Sequence, residues 1–438
     1  MILRRLFSFA ALSLILLAFS PAWGNFSLNG NSSLGTFNHD LDNIHITLEK
    51  LNADWQLTPS AGNKLTIHRL RAKRMLVTIK ENTKKIESGL PDQINLPLPI
   101  QVQQAEIAEV VVITKGEEYT LTNVKFSFDG TKKFLKLNLQ NAETPWGVTN
   151  AVIDLATAKP FSIAGKINLK KTSGNVPYDV KTLLSGNLNT LHIESESLLA
   201  LKEKQLSLVQ ADGKTLVPAA QILTRIELGL TDDYPIKLTT SINALHPERL
   251  GDYPTAALNL DINLQGKLLP QPDLQLNFAS RESQWQNQAL SSSGELSIKN
   301  TDIRDINIQA TLLDNKLIAK GNLNQPNSVL EWQLDLPNLA IIGADYSGQA
   351  FAKGSVEGVF DNLALRFNLK AEKLQIANTL KSNKLEGQAT LMASENGQFK
   401  GELNASNLQY ASNPVIDGNI QITGLRGDHQ IKLAAHNQ

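Results

Sequence analysis

The chain has 438 residues, room for two or three ordinary domains, and its 42 basic and 42 acidic residues cancel to a formal net charge of zero. That balance argues against nucleic-acid recognition by phosphate neutralisation, and the absence of cysteine excludes disulfides, thiolate metal sites and cysteine nucleophiles. A hydrophobic fraction of 42% argues against wholesale disorder.

In chain order, Arg4 and Arg5 precede an apolar run from Leu6 to Phe19, and no charged residue follows until Asp40. A charged start, an apolar stretch and a small-residue end form an export signal, so Asn25 onward lies outside the cytoplasm. Segment 1–24 is either a signal peptide, with Ala22 and Gly24 at the −3 and −1 positions of a cleavage site, or a retained anchor helix. As a helix, Leu6 to Phe19 spans about 21 Å against ~30 Å of hydrocarbon, which favours cleavage. Retained, it anchors the chain in the inner membrane with both arginines inside.

The remainder reads as strands. Val124, Phe126 and Phe128 alternate with Lys125 and Ser127, and Leu135, Leu137 and Leu139 follow, a hairpin turning at Asp129-Gly130. Leu258, Leu260, Ile262 and Leu264 alternate with Asn259, Asp261 and Asn263; Leu274, Leu276 and Phe278 alternate with Gln275 and Asn277. The same period of two runs through Trp332, Leu334 and Leu336, through Leu365, Phe367 and Leu369, and through Ile420 and Ile422. Asp212-Gly213, Asn396-Gly397 and Asp417-Gly418 read as further turns. Ser197 to Gln210 is the best helical candidate.

A repeat underlies the second half. Leu245 to Tyr253 precedes Gly266 and the strand Leu274 to Phe278; about 92 residues later Leu336-Pro337-Asn338-Leu339 and Gly343-Ala344-Asp345-Tyr346 precede Gly358 and the strand Leu365 to Leu369. Self-similarity at a fixed period predicts an array whose units need their neighbours. The organisation read here is segment 1–24, a strand-rich segment 25–169, and repeated units over 170–438, with copies near 245–335 and 336–427. Thr83 to Pro99 and Lys170 to Pro177 are bends or insertions.

Reactive chemistry is hard to find. The histidines, His39, His45, His68, His192, His246, His429 and His436, lack H-E-x-x-H or other metal spacing. Gly213-Lys214-Thr215 echoes a P-loop end, but Leu208 stands where the first glycine belongs. Glu194, Glu196 and Glu203 read as a solvated face, and there is no G-x-S-x-G elbow. The expectation is therefore no enzyme, cofactor or metal. The basic residues Lys64, Arg69, Arg71, Lys73 and Arg74 are either headgroup-attracting or a solvated strand edge that discourages aggregation.

The stretch Leu339 to Leu391, LAIIGADYSGQAFAKGSVEGVFDNLALRFNLKAEKLQIANTLKSNKLEGQATL, resembles the repeated units of the TamB family, the inner-membrane component of the translocation and assembly module, and of AsmA-like proteins. Residues Asp40 to Asn168 resemble that family's N-terminal segment of short strands. The family's C-terminal region is missing, since the chain stops at Gln438 within the alternating stretch Gln430 to Ala434; this predicts a truncated product with a self-associating end. The resemblance implies an all-β, elongated, repetitive antiparallel sheet curled into an open groove. Along it phospholipid acyl chains pass through the periplasm between inner and outer membranes. The groove candidates are then Val124, Phe126, Phe128, Leu258, Leu260, Ile262, Leu264, Leu274, Leu276, Phe278, Leu365, Phe367 and Leu369. The other reading is an assembly factor for outer-membrane β-barrel or autotransporter proteins, acting by strand pairing with an outer-membrane BamA/TamA-like barrel protein. Periodicity alone also permits a dry sandwich core.

Overall fold

The structure is a computed structural model that describes residues 28–41, 44–58, 63–79, 93–94, 96–114, 116–172, 176–199, 220–230, 233–250, 253–343, 345–377, 379–394 and 396–437. Segment 1–24, the Asp212-Gly213 pair and residues 200–210 of the helical candidate lie outside them. The described residues form 25 strands and three short 3-10 turns, with no α-helix, and none of their helices could cross a membrane. Ser197 to Leu199, the described end of the helical candidate, are strand. Packing divides the chain into two compact units, one of residues 1–218 with 222–231, the other of 219–221 with 232–438.

The first unit begins with β1 (Leu28–Leu41), β2 (Ile44–Thr58), β3 (Lys64–Ile79) and β4 (Ile100–Thr114). It continues with β5 (Glu117–Gly130), β6 (Phe134–Thr144), β7 (Gly147–Ala156), β8 (Ser162–Lys171), β9 (Tyr178–Asn187) and β10 (Thr190–Leu199), and β11 (Ala220–Gly229) follows. From β1 to β10 consecutive strands pair with each other. The expectation of a purely antiparallel sheet is corrected at one step: β3 and β4 run parallel, from Leu65 opposite Ile100 to Ile79 opposite Thr114. Two parallel neighbours need a long crossover, and residues 80–99 provide it. Its described part crosses the strand ends. Gln93 bridges Ala158, the Ile94 N–H donates to Thr157 O, and Leu96 is buried. These strands have 10 to 16 residues, longer than the short strands expected. Lys170 to Pro177, read as a bend or insertion, holds the connection from β8 to β9, with Lys170 already paired with Asp179.

The second unit holds β12 (Pro235–Leu245), β13 (Ala256–Lys267), β14 (Asp273–Ser280), β15 (Ser283–Trp285), β16 (Gln288–Lys299), β17 (Asp302–Leu312) and β18 (Asn315–Leu323). It ends with β19 (Val329–Leu336), β20 (Tyr346–Glu357), β21 (Ala364–Ile376), β22 (Leu380–Met392), β23 (Gln398–Tyr410), β24 (Ile416–Leu425) and β25 (Asp428–Asn437). All pairings here are antiparallel, and β14 with β15 fills one place between β13 and β16. The two sequence copies adopt one device: β12 and β19 each lead through a 3-10 turn, Pro247–Arg249 or Leu339–Ile341, into the next long strand.

Strands this long would rotate their apolar residues off the face if the period of two ran unbroken along a twisting, bending sheet. Bulges restore the phase. Lys50, Asn123, Ala244, Asp305, Lys373 and Asn407 have φ between +48° and +54°. Each stands just before the second of two apolar positions three apart, such as Leu48 and Leu51, Ile303 and Ile306, or Ala371 and Leu374. Two expected turns are corrected by the strand pairing. Asp129-Gly130 closes β5, and the turn is Thr131 to Lys133, where Thr131 Oγ1 accepts the Phe134 N–H at 3.1 Å. Asp417-Gly418 lies inside β24, whereas the tight turn is Arg426-Gly427 between Leu425 and Asp428. Asn396-Gly397 does fall in the connection between β22 and β23.

The units bury their apolar faces to different degrees. In the first, 21 buried residues form one cluster drawn from β2 to β8, β10, the crossover and the turns before β8 and β10, with Leu51, Leu70, Ile100, Phe161 and Leu191 almost wholly enclosed. Leu96 packs down beside Phe128 only because Gly130 has no side chain; a Cβ there would sit 2.8 Å from both. The second unit's buried cluster has four members, Leu339, Ala371, Leu374 and Leu385. Most of its apolar face is therefore not sealed.

Candidate functional site

That unsealed face is continuous. From β13 onward the ladder places Ile262, Phe278, Gly294, Ile308, Ala319 and Trp332 opposite one another in turn. The row continues through Gly354, Phe367, Ala389, Gly401 and Ile422 to Ile431. None of these side chains is charged and none is fully buried. A second apolar row runs beside it through Leu317, Leu334, Ala352, Leu369, Gly387, Leu403, Ile420 and Leu433. The row on the opposite face carries Asn277, Glu295, Asn307, Lys320, Glu331, Ser355 and Arg366. Period two thus sorts greasy from wet across the whole unit.

The sequence candidates fall into two environments. Leu258, Leu260, Ile262 and Leu264 of β13 and Leu274, Leu276 and Phe278 of β14 are half-buried on the open face, with Ile262 opposite Phe278 and Leu264 opposite Leu276. Leu365, Phe367 and Leu369 lie half-buried on the same face further along the ladder. Val124 and Phe128, by contrast, are buried in the first unit's cluster, and Phe126 packs against it.

Trp332 and Gly354 belong to this face although the sequence reading did not place them in the site. The rings of Trp332 and Phe367 lie 6.5 Å apart at 40°, on the strands either side of Gly354. A Cβ on Gly354 would stand 2.9 Å from both side chains and 2.1 Å from Arg366 O. A glycine in phase with the apolar alternation was the available signal, since it often marks close approach over a strand. Gly294 does the same beneath Phe278.

The basic residues Lys64, Arg69, Arg71, Lys73 and Arg74 face outward or partly so on β3. Parallel pairing sets Arg71 Nε 3.2 Å from Glu106 and Arg74 Nε 3.3 Å from Glu109, while Lys64 donates to Gln101 Oε1 at 2.9 Å. On the second unit's polar face Lys384 hydrogen-bonds Glu386 and, with Lys370, holds its carboxyl below the ordinary value. Clefts of about 430 and 520 Å³ there, lined by Lys320, Glu331, Lys353, Arg366, Lys400 and Glu402, mix both signs of charge. Among the described residues no group of histidine, aspartate and glutamate side chains could hold a metal ion.

A long strand array with one polar and one unsealed apolar face defines a class of repetitive β-sheet protein. The chain belongs to the TamB family: the family model "TamB, N-terminal domain" matches residues 199–438, more than half of its length. The Leu339 to Leu391 stretch lies within that match, and Asp40 to Asn168 lies before it. No curated protein and no solved structure matches the chain.

Proposed function

We propose that the protein is a non-catalytic lipid-transfer protein of the bacterial envelope, whose apolar sheet face forms a groove that conducts phospholipid acyl chains between inner and outer membranes. The observation that carries this reading is the uncharged, half-exposed row from Ile262 to Ile431. An apolar sheet face needs cover, either a second protein layer or a ligand. Each methylene buried contributes about 0.8 kcal/mol, so a 16-carbon chain laid along the face gains on the order of 10 kcal/mol at most, with no specific polar contact. Family membership supports an envelope setting. A periplasmic body fits the export signal, anchored in the inner membrane if segment 1–24 is retained. The test is mass spectrometry of lipid extracted from the purified protein. Co-purifying phospholipid in stoichiometric amount is expected, and its complete absence would overturn the reading.

A further inference from the structure

The two copies of the 3-10 loop share a backbone course and differ in chemistry. In the first, Pro247–Arg249 buries nothing: His246 Nδ1 lies 3.3 Å from Glu248, whose other carboxylate oxygen accepts the Ala256 N–H at 3.1 Å. In the second, Leu339-Ala340-Ile341 folds onto the apolar face. Leu339 is buried against Ala371, Leu374 and Leu385, and Ile342 packs on the same cluster. These contacts lie on β21 and β22, beyond the strand that follows the loop. Segment Pro337 to Gly343 therefore straps the rim of the open face.

One foot of the strap is fixed. Buried Asn315 grips the Asn338 backbone twice, donating from Nδ2 to the carbonyl at 2.8 Å and accepting the N–H at 3.2 Å, while Asn338 Oδ1 accepts the Ala340 N–H at 3.1 Å. The other foot ends at Gly343, whose carbonyl accepts the Tyr346 N–H at 3.1 Å, and the strand beyond bulges at Gly348, where φ is +95°. Between the feet the strap is held down by apolar packing and by a long hydrogen bond of 3.4 Å from Gln286 Nε2 to Ile342 O.

We propose that this strap is a displaceable cover that occupies the rim until an acyl chain replaces it. The inference rests on the lipid reading above. An acyl chain offers Ala371, Leu374 and Leu385 the same apolar contact that Leu339 and Ile342 offer, so exchanging one cover for the other costs little burial. The ligand then shifts the strap by differential affinity for the open state. The first loop, none of whose 3-10 residues is buried, has no such apolar cover to exchange.

The chain has no cysteine, so a single introduced thiol is its own reporter. In Leu339→Cys, maleimide labelling should be slow alone and at least tenfold faster with a 16-carbon lysophospholipid below its micelle concentration. Leu70→Cys, in the closed core of the first unit, should stay unlabelled in both conditions. Asn315→Ala, which frees the fixed foot, should speed labelling of Leu339→Cys without lipid when the two substitutions are combined. Co-migration of radiolabelled lysophospholipid with the protein reports binding separately. Binding with unchanged labelling of the strap thiol overturns the strap and leaves the lipid reading standing. No binding removes both, and acceleration at Leu70→Cys as well reports general unfolding and counts against the strap.

Discussion

The side-chain oxygen of Asn259 accepts the backbone N–H of Ala244 at 2.8 Å, at the residue where β12 bulges. The arrangement recurs: Asn322 Oδ1 accepts from Asp305 N at 2.9 Å and Asp417 Oδ1 from Asn407 N at 2.7 Å. A bulge leaves a ladder donor without its strand partner, and an Asn or Asp on the neighbouring strand supplies the acceptor. Asn259→Ala should therefore cost about 1 kcal/mol or more at its part-buried site. Asn322→Ala, where water replaces the lost oxygen, should cost less. Urea unfolding of both variants checks this; equal and negligible losses would show that the bulges need no cap.

Phe128 and Leu276 should answer differently to a buried charge. Phe128 is 4% exposed in the sealed cluster, so Phe128→Lys should cost several kcal/mol and unfold or aggregate the protein. Leu276→Lys can extend its ammonium to solvent along the open face, leaving the melting temperature close to that of Gln275→Lys while bound lipid falls. A collapse of Leu276→Lys as severe as that of Phe128→Lys, with no lipid in the parent, would mean that both units have dry cores.

Gly354→Ala should destabilise by roughly 1–3 kcal/mol, because the added methyl meets the Arg366 carbonyl and the Trp332 and Phe367 side chains. Gly427→Ala, in the turn before β25, meets nothing within 4 Å and should change little. Denaturant midpoints of the two variants should separate clearly, and a tolerated Gly354→Ala would disprove the close approach.

The carboxyl of Glu248 is pushed up by burial, yet the Ala256 N–H, its own N–H, His246 and Arg249 together hold it below the ordinary value of 4.5. A depressed folded value means stability present above the unfolded pKa and lost as pH falls through the folded one. Glu248→Gln should therefore be less stable than the parent at neutral pH, and the gap should narrow as pH falls below 4.5. Thermal melts across pH 3 to about 7 measure it; a gap independent of pH would show that the ionised carboxylate adds nothing.

The sequence by itself determined which side chains share a face. Alternation set the apolar and polar rows, and pairs three apart such as Ile303 and Ile306 or Ala371 and Leu374 already marked where the phase is reset. The shared apolar face of β13, β14 and β21 was legible this way, as was the repeated loop. Tertiary structure decided the partners. The register of β19, β20 and β21 puts Gly354 between Trp332 and Phe367, residues 22 and 13 positions away in the chain. The parallel step of β3 onto β4 sends the crossover over the strand ends, where Leu96 helps to bury Phe128 while Leu276, with the same alternation, stays half-open. Alternation is a local property of one strand, whereas sealing depends on which distant segment returns to cover the face, and no period within a strand encodes that.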